Sequence, residues 1–118
     1  MGSFRIEGGN RLQGEIIPQG AKNETLQILC AVLLTDEEVV IENVPDIRDV
    51  NKLIEILANL GVKVKKLGKG SYSFKADQLD LNYLESEKFK EEGSSLRGSI
   101  MIVGPLLSRF GKGFIPQP

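Results

Sequence analysis

The sequence contains no histidine and a single cysteine among its 118 residues. These two absences exclude a histidine-based catalytic triad, a Cys/His metal site and a disulfide framework. The single thiol, Cys30, lies in the apolar run LQILCAVLL, which predicts a buried cysteine that packs as a small hydrophobic side chain. Such sparing use of cysteine fits a reducing compartment, and we expect a cytoplasmic protein.

An excess of one charge sign and a long hydrophobic run are also missing. The formal net charge is −1, so no basic excess indicates nucleic acid or an anionic membrane as a partner. No apolar run approaches the roughly 20 residues of a transmembrane helix, and we expect no membrane insertion. The chain has the length of one domain, and 41% of its residues are hydrophobic, enough to bury a core.

Hydrophobic periodicity predicts an alternation of strands and helices. Strands are predicted over 4–7, 12–17 and 37–44, helices over 25–34 and 46–60, and a hairpin over 62–67 and 71–76. The first helix has too many apolar residues for a one-sided surface helix, which predicts burial on most of its circumference. The second has Asp46 as its predicted N-cap and Gly61 as its stop. This order favours an α/β layer architecture with parallel pairings and a closing hairpin.

A second unit is predicted after the polar stretch 77–93, which ends in a break at Gly93. It begins with an apolar helix from Leu96, kinked at Gly104 and Pro105, and continues into a strand in the last seven residues, KGFIPQP. This unit repeats the opening helix of the first but lacks the elements that should follow. We therefore expect the chain to end within a fold.

Two basic residues lie where helices are predicted to begin. Lys22 precedes the first apolar helix and Arg97 the second, although helix N-termini already carry partial positive charge. A bound anion would explain both, because backbone N–H groups, the helix dipole and a fixed cation all favour it. Asn23 adds an amide that donates and accepts, and Gly98 lets a ligand approach the backbone.

Simpler roles exist for each of these residues. Lys22 fits a solvated surface lysine, Asn23 a helix cap, and Arg97 a surface or ion-paired arginine. Arg109 and Lys112 fit a solvated helix end. The glycines match neither a phosphate-binding Walker loop nor the dinucleotide fingerprint. Physical reasoning from the residues thus reaches only an anion-site hypothesis, which a non-catalytic phosphate- or nucleotide-binding module would also satisfy.

Several longer stretches resemble the enolpyruvyl transferase family. The similar stretches are FRIEGGNRLQGEIIPQGAKNETLQILCAVLL, IENVPDIRDV, LANLGVKV and SSLRGSIMIVGPLLSRFGKG, and the resemblance continues in order, less specifically, through the segments that connect them. The most specific are GAKN and LRGSI followed by GPLLSRFG. The chain resembles most the branch that acts on UDP-N-acetylglucosamine. The branch that acts on shikimate 3-phosphate usually has serine where Asn23 stands.

The resemblance implies an inside-out α/β barrel of two globular domains built from strand-helix-strand-helix-strand-strand repeats. About the first one and a half repeats would be present. Residues 1–20 would be strands that pack into the second globular domain, and residues 21–118 would be the first part of the other domain. Exchange between open and closed states would exclude water from the substrates.

The implied reaction transfers the enolpyruvyl group of phosphoenolpyruvate to the 3-hydroxyl of UDP-N-acetylglucosamine and releases phosphate. It is the first committed step of peptidoglycan synthesis, and so serves cell-wall biogenesis, cell shape and cell division. The family uses no metal and no organic cofactor. The implied partners are these two small-molecule substrates, without nucleic acid.

The resemblance also assigns roles to five residues. Lys22 matches the lysine at the phosphoenolpyruvate site, Asn23 the asparagine that contacts the nucleotide sugar, and Arg97 an arginine near the substrates. Gly98 and Met101 fall on the uridine side. Met101 stands where some members have a large aromatic residue, so stacking on the base is not implied by this residue.

No catalytic residue is expected within the chain. The family's general acid, a cysteine or in some members an aspartate, is expected just after Pro118, and Cys30 is not that cysteine. We therefore expect a fragment that is inactive alone. We also expect the uncovered apolar faces of a truncated unit to promote self-association.

Overall fold

The structure is a computed structural model that describes residues 2–94 and 101–113. In chain order its elements are α1 (Lys22–Ala31), β1 (Glu38–Ile41), α2 (Arg48–Leu60), β2 (Lys63–Gly68), β3 (Ser71–Lys75), α3 (Glu87–Ser94) and α4 (Val103–Phe110). Short 3-10 turns lie at Val32–Leu34 and Leu81–Glu85. The predicted mixed α/β composition is confirmed, and from α1 to β3 the predicted order is correct.

The three strands form one sheet in the order β1-β3-β2. Phe74 of β3 lies opposite Val39 of β1 on one side and Val64 of β2 on the other, and both pairings are antiparallel. The predicted hairpin is confirmed, but the predicted parallel pairings are wrong. The reason is that β3 inserts between β1 and β2, so the two strands that run in the same direction never share hydrogen bonds.

The core lies where α1 and α2 pack together against the sheet. Its fully buried side chains are Leu29, Leu33, Val50, Leu53, Ile56, Leu57, Leu60, Phe74, Ala76, Ile102 and Leu106. The prediction that the first helix is buried around most of its circumference is wrong, because α1 is covered on one side. Its other side includes Ile28, which is 40% exposed.

Helix α2 has the strongest apolar periodicity in the chain and forms as predicted. It ends at Gly61, whose φ of 115° is the left-handed conformation that favours glycine. The predicted N-cap is wrong, because Ile47 occupies that position and makes no side-chain cap. Asp46 instead accepts a hydrogen bond of 2.8 Å from the side chain of Asn51.

The strands predicted over 4–7 and 12–17 do not form. Residues 2–20 contain no strand, and their apolar side chains are exposed, with Phe4 at 97% and Leu12 at 92%. An alternating sequence becomes a strand only when a neighbouring strand accepts its backbone hydrogen bonds. None of the three strands in the described part of the chain pairs with this segment.

The second half differs from the prediction at two points. Gly93 does not break the chain but lies buried within α3. Gly104 and Pro105 lie in the first turn of α4, where a proline needs no backbone N–H, so the predicted kink is absent from the described helix. The predicted helix start at Leu96 and most of the final predicted strand lie outside the described residues.

Candidate active site

Lys22 is the first residue of α1, as predicted. The helix start is set by Thr25, whose backbone N–H and hydroxyl both donate to the carbonyl oxygen of Ala21, at 3.0 and 2.7 Å. Ala21 itself is extended and supplies no capping side chain. Backbone N–H groups of this first turn therefore remain available to a ligand beside the Lys22 ammonium.

A close backbone contact fixes where α1 begins. A Cβ atom at Gly20 would overlap the backbone oxygen of Asn43 and would lie 3.2 Å from Cδ of Pro45. Only glycine permits this approach, which joins the entry to α1 to the loop between β1 and α2. Asn43 is the one non-glycine residue of the described chain with positive φ, 58°. The stretch GAKN is thus constrained by the structure from its first residue, Gly20.

An ion pair joins the starts of α1 and α2. The Nζ atom of Lys22 lies 2.8 Å from Oδ2 of Asp49, with the two side chains 52% and 39% exposed. Asp49 is in the first turn of α2, where the helix dipole favours a carboxylate. The sequence patterns did not predict this ion pair. The sequence does contain a signal for it: consecutive predicted helices begin with residues of opposite charge, Lys22 and Asp49, which favours an ion pair if the two helix starts lie close together.

The other predicted site residues are only partly placed. Asn23 follows Lys22 in α1 and is exposed. Met101 lies two residues before α4 and is 36% exposed. Arg97 and Gly98 lie outside the described residues. Of the predicted site residues, the structure thus places Lys22 and Asn23 side by side at the start of α1, with Asp49 against Lys22.

Arg109 has a different role from the predicted solvated helix end. Its Nη1 atom donates to the carbonyl oxygens of Leu33 and Thr35, at 3.2 and 3.1 Å. Its guanidinium also lies over the ring of Phe110, 4.7 Å from the centroid. The prediction for Arg109 is wrong, because these contacts attach the end of α4 to the turn that follows α1. Lys112 is exposed, as predicted.

Cys30 is buried, as predicted, with 2% of its surface exposed. Burial raises the pKa of its thiol from 9.0 to about 12. A thiol of this pKa stays protonated at neutral pH, so Cys30 is neither a thiolate nucleophile nor an effective proton donor. Its role is packing within the core.

Neither a metal site nor a membrane span is found in the described part of the chain. Residues 2–94 and 101–113 contain no group of three or more His, Cys, Asp or Glu placed to hold a metal ion. Within the same ranges no helix combines the length and apolar character needed to cross a bilayer.

The arrangement around Lys22 suits anion binding. A lysine ammonium has three donors, and Lys22 uses one toward Asp49, which leaves two for the oxygens of a ligand. The N–H groups of the first turn and the Asn23 amide add neutral donors on the same helix start. This group can hold and orient a phosphate or carboxylate.

The family of the chain follows from a comparison with family models. The model of EPSP synthase (3-phosphoshikimate 1-carboxyvinyltransferase) matches residues 6–116. The chain belongs to this family, which places the Lys22 helix start in a carboxyvinyl transferase fold.

The chain is also similar to curated proteins that share one name within this family. The chain is 61% identical over all 118 residues to UDP-N-acetylglucosamine 1-carboxyvinyltransferase of Bacteroides thetaiotaomicron. It is 57% identical to the Porphyromonas gingivalis protein of the same name and 40% identical to that of Erwinia tasmaniensis, again over its whole length. The chain spans 27% of the length of each of these relatives.

Proposed function

We propose that the protein transfers the enolpyruvyl group of phosphoenolpyruvate to the 3-hydroxyl of UDP-N-acetylglucosamine. The sugar hydroxyl adds across the C2–C3 double bond of phosphoenolpyruvate: its oxygen bonds to C2, C3 gains a proton and the hydroxyl proton passes to a base. Elimination then removes a proton from C3 and breaks the bond from C2 to the phosphate oxygen, which restores the double bond and releases phosphate. The observation that carries the proposal is Lys22 at the exposed start of α1, in a chain 61% identical to a relative of that name. This step would place the protein in cytoplasmic peptidoglycan synthesis, and so in cell-wall growth, shape and division.

In this proposal the site residues bind substrates. Lys22 holds the anionic groups of phosphoenolpyruvate, Asn23 contacts the nucleotide sugar, and Arg97 lies near both substrates. Gly98 and Met101 contact the uridine side. The proposal assigns the general acid to none of the 118 residues, so this stretch of chain should show no turnover alone.

The finer architecture is also a proposal. The sheet of order β1-β3-β2 together with α1 and α2 would be one repeat of an inside-out barrel, and residues 21–118 would begin one of its two globular domains. Residues 1–20 would form strands within the second globular domain. Their exposed apolar side chains support this, because Phe4, Ile6 and Leu12 are each at least 89% exposed. The same exposure should make the 118-residue chain self-associate.

The alternative acceptor is shikimate 3-phosphate, which the name of the matching family model favours. Asn23 favours the nucleotide sugar, because the shikimate branch usually has serine there. A third possibility is a module that binds phosphate or nucleotide without catalysis.

One experiment separates these three functions. The protein expressed from its complete reading frame is mixed with phosphoenolpyruvate and either acceptor, and released phosphate is measured. We expect kcat/KM with UDP-N-acetylglucosamine to exceed that with shikimate 3-phosphate at least about 10³-fold, because a site that hydrogen-bonds one substrate rejects an analogue lacking those groups. Faster release with shikimate 3-phosphate would establish the alternative. Binding of both substrates without release would establish the non-catalytic module.

A further inference from the structure

The ion pair between Lys22 and Asp49 has a consequence for how an anion would be bound. Lys22 carries a flexible four-carbon stem and lies at a helix start, where the dipole disfavours its charge. Left unpaired, its ammonium would occupy many rotamers directed into solvent. Asp49 lies 2.8 Å from that ammonium and ties it to the first turn of α2, next to the start of α1 from which Lys22 extends.

Asp49 is suited to this role because its own position is fixed. It belongs to the first turn of α2, whose Val50 and Leu53 are fully buried in the core. The dipole of α2 stabilises its carboxylate in this position, so Asp49 is a more fixed partner than the flexible Lys22 side chain. Helices α1 and α2 pack against each other, and the ion pair bridges their two starts.

We propose that Asp49 is a positioning residue for substrate binding, which acts on phosphoenolpyruvate only through Lys22. This inference rests on the proposed function. Asp49 takes one of the three ammonium donors and so directs the other two toward the ligand. Because Lys22 is already ordered before the anion binds, less side-chain entropy is lost on binding, and the anion binds more tightly.

The opposite effect is physically possible and makes the proposal testable. A carboxylate close to an anion site also repels the anion, so removing Asp49 could strengthen binding. The two effects have opposite signs on the KM for phosphoenolpyruvate. Both partners are partly exposed, so the positioning effect should be modest.

The test uses Asp49→Asn in the full-length protein, because asparagine keeps the shape and removes the charge. We expect the KM for phosphoenolpyruvate to rise about three- to fivefold, while the KM for UDP-N-acetylglucosamine and the unfolding midpoint stay near wild type. Asp49→Glu, which restores the charge, should return the KM to within about twofold of wild type. Asp49→Ser, a residue accepted in a first helical turn, repeats the measurement if the asparagine variant is poorly folded.

Asp46→Asn is the matched control, because Asp46 lies three residues earlier and bonds to Asn51, not to Lys22. A KM for phosphoenolpyruvate that is unchanged or lower in Asp49→Asn would overturn the proposal. An equal rise in both KM values, or the same rise in Asp46→Asn, would also overturn it. Failure of the wild-type protein to release phosphate would instead remove the proposed function, and with it the reaction in which Asp49 is assigned a role.

Discussion

Cys30 shows how a single buried group links the structure to pH. The thiol lies in α1, 2% exposed, with no charged partner to compensate for the loss of solvent. Its pKa is therefore about 12 in the folded protein against an ordinary value of 9.0. Between these two values the unfolded chain releases a proton that the folded protein keeps.

This difference predicts a loss of stability at alkaline pH. The contribution of Cys30 is fully present below pH 9 and is lost as the pH rises toward 12, because the unfolded state binds fewer protons in that window. From pH 8 to pH 10 we expect the free energy of unfolding to fall by roughly 1 kcal/mol on account of this thiol. Urea unfolding at both pH values measures the change.

Cys30→Ala is the comparison protein. It should be less stable at neutral pH because of the lost packing, but its decline from pH 8 to pH 10 should be smaller by roughly 1 kcal/mol. Burial and the nearby Glu92 carboxylate also raise the pKa of Tyr83 to about 12, and this contribution is common to both proteins and cancels in the difference. Equal declines in the two proteins would contradict the account.

At the scale of elements, the sequence predicted single helices and strands better than it predicted which strands lie next to each other. The helical spacing of Val50, Leu53 and Leu57 and the glycine at position 61 were enough to predict α2 and its end. The sequence could not show that β3 inserts between β1 and β2, because strand neighbours depend on packing far along the chain. The same limit explains why the strands predicted in residues 2–20 were wrong for this chain.

In the candidate site, too, the local feature was predicted and the distant contact was not. Helix periodicity and helix-start chemistry predicted Lys22 at the beginning of α1. Its partner Asp49 lies 27 positions later, on a different helix, and only the packing of α1 against α2 brings the two together. Arg109 was misjudged for a related reason. Its acceptors are carbonyl oxygens of residues about 75 positions earlier.

The attachment of α4 to the turn after α1 gives the element-scale prediction. Arg109→Ala removes hydrogen bonds to Leu33 and Thr35, and leaves their partly buried carbonyl oxygens without this donor. We expect the free energy of unfolding to fall by about 2 kcal/mol. Thermal or urea unfolding measures the loss. Lys112→Ala, an exposed cation beyond the same helix, should change it by less than about 0.5 kcal/mol. A similar small effect for both variants would show that Arg109 does not anchor α4.

At the scale of the whole molecule, the proposed function makes the chain one wall of a binding site. The start of α1 offers Lys22, Asn23 and backbone N–H groups, and Lys22 is 52% exposed. Charged contacts of this kind become strong only when water is excluded. The chain spans 27% of the length of its curated relatives, so in the proposed function the remaining walls come from the rest of the protein.

The most direct test of the central claim is the activity of Lys22→Ala in the full-length protein, measured as phosphate release from phosphoenolpyruvate and UDP-N-acetylglucosamine. The matched control is Lys63→Ala, since Lys63 is also an exposed lysine in an ion pair, 3.1 Å from Asp77. We predict that Lys22→Ala lowers kcat/KM for phosphoenolpyruvate at least about 100-fold, the loss expected when a desolvated charge pair loses one partner. Lys63→Ala should keep wild-type activity. Wild-type kcat/KM in Lys22→Ala would contradict the assignment of this helix start to the substrate.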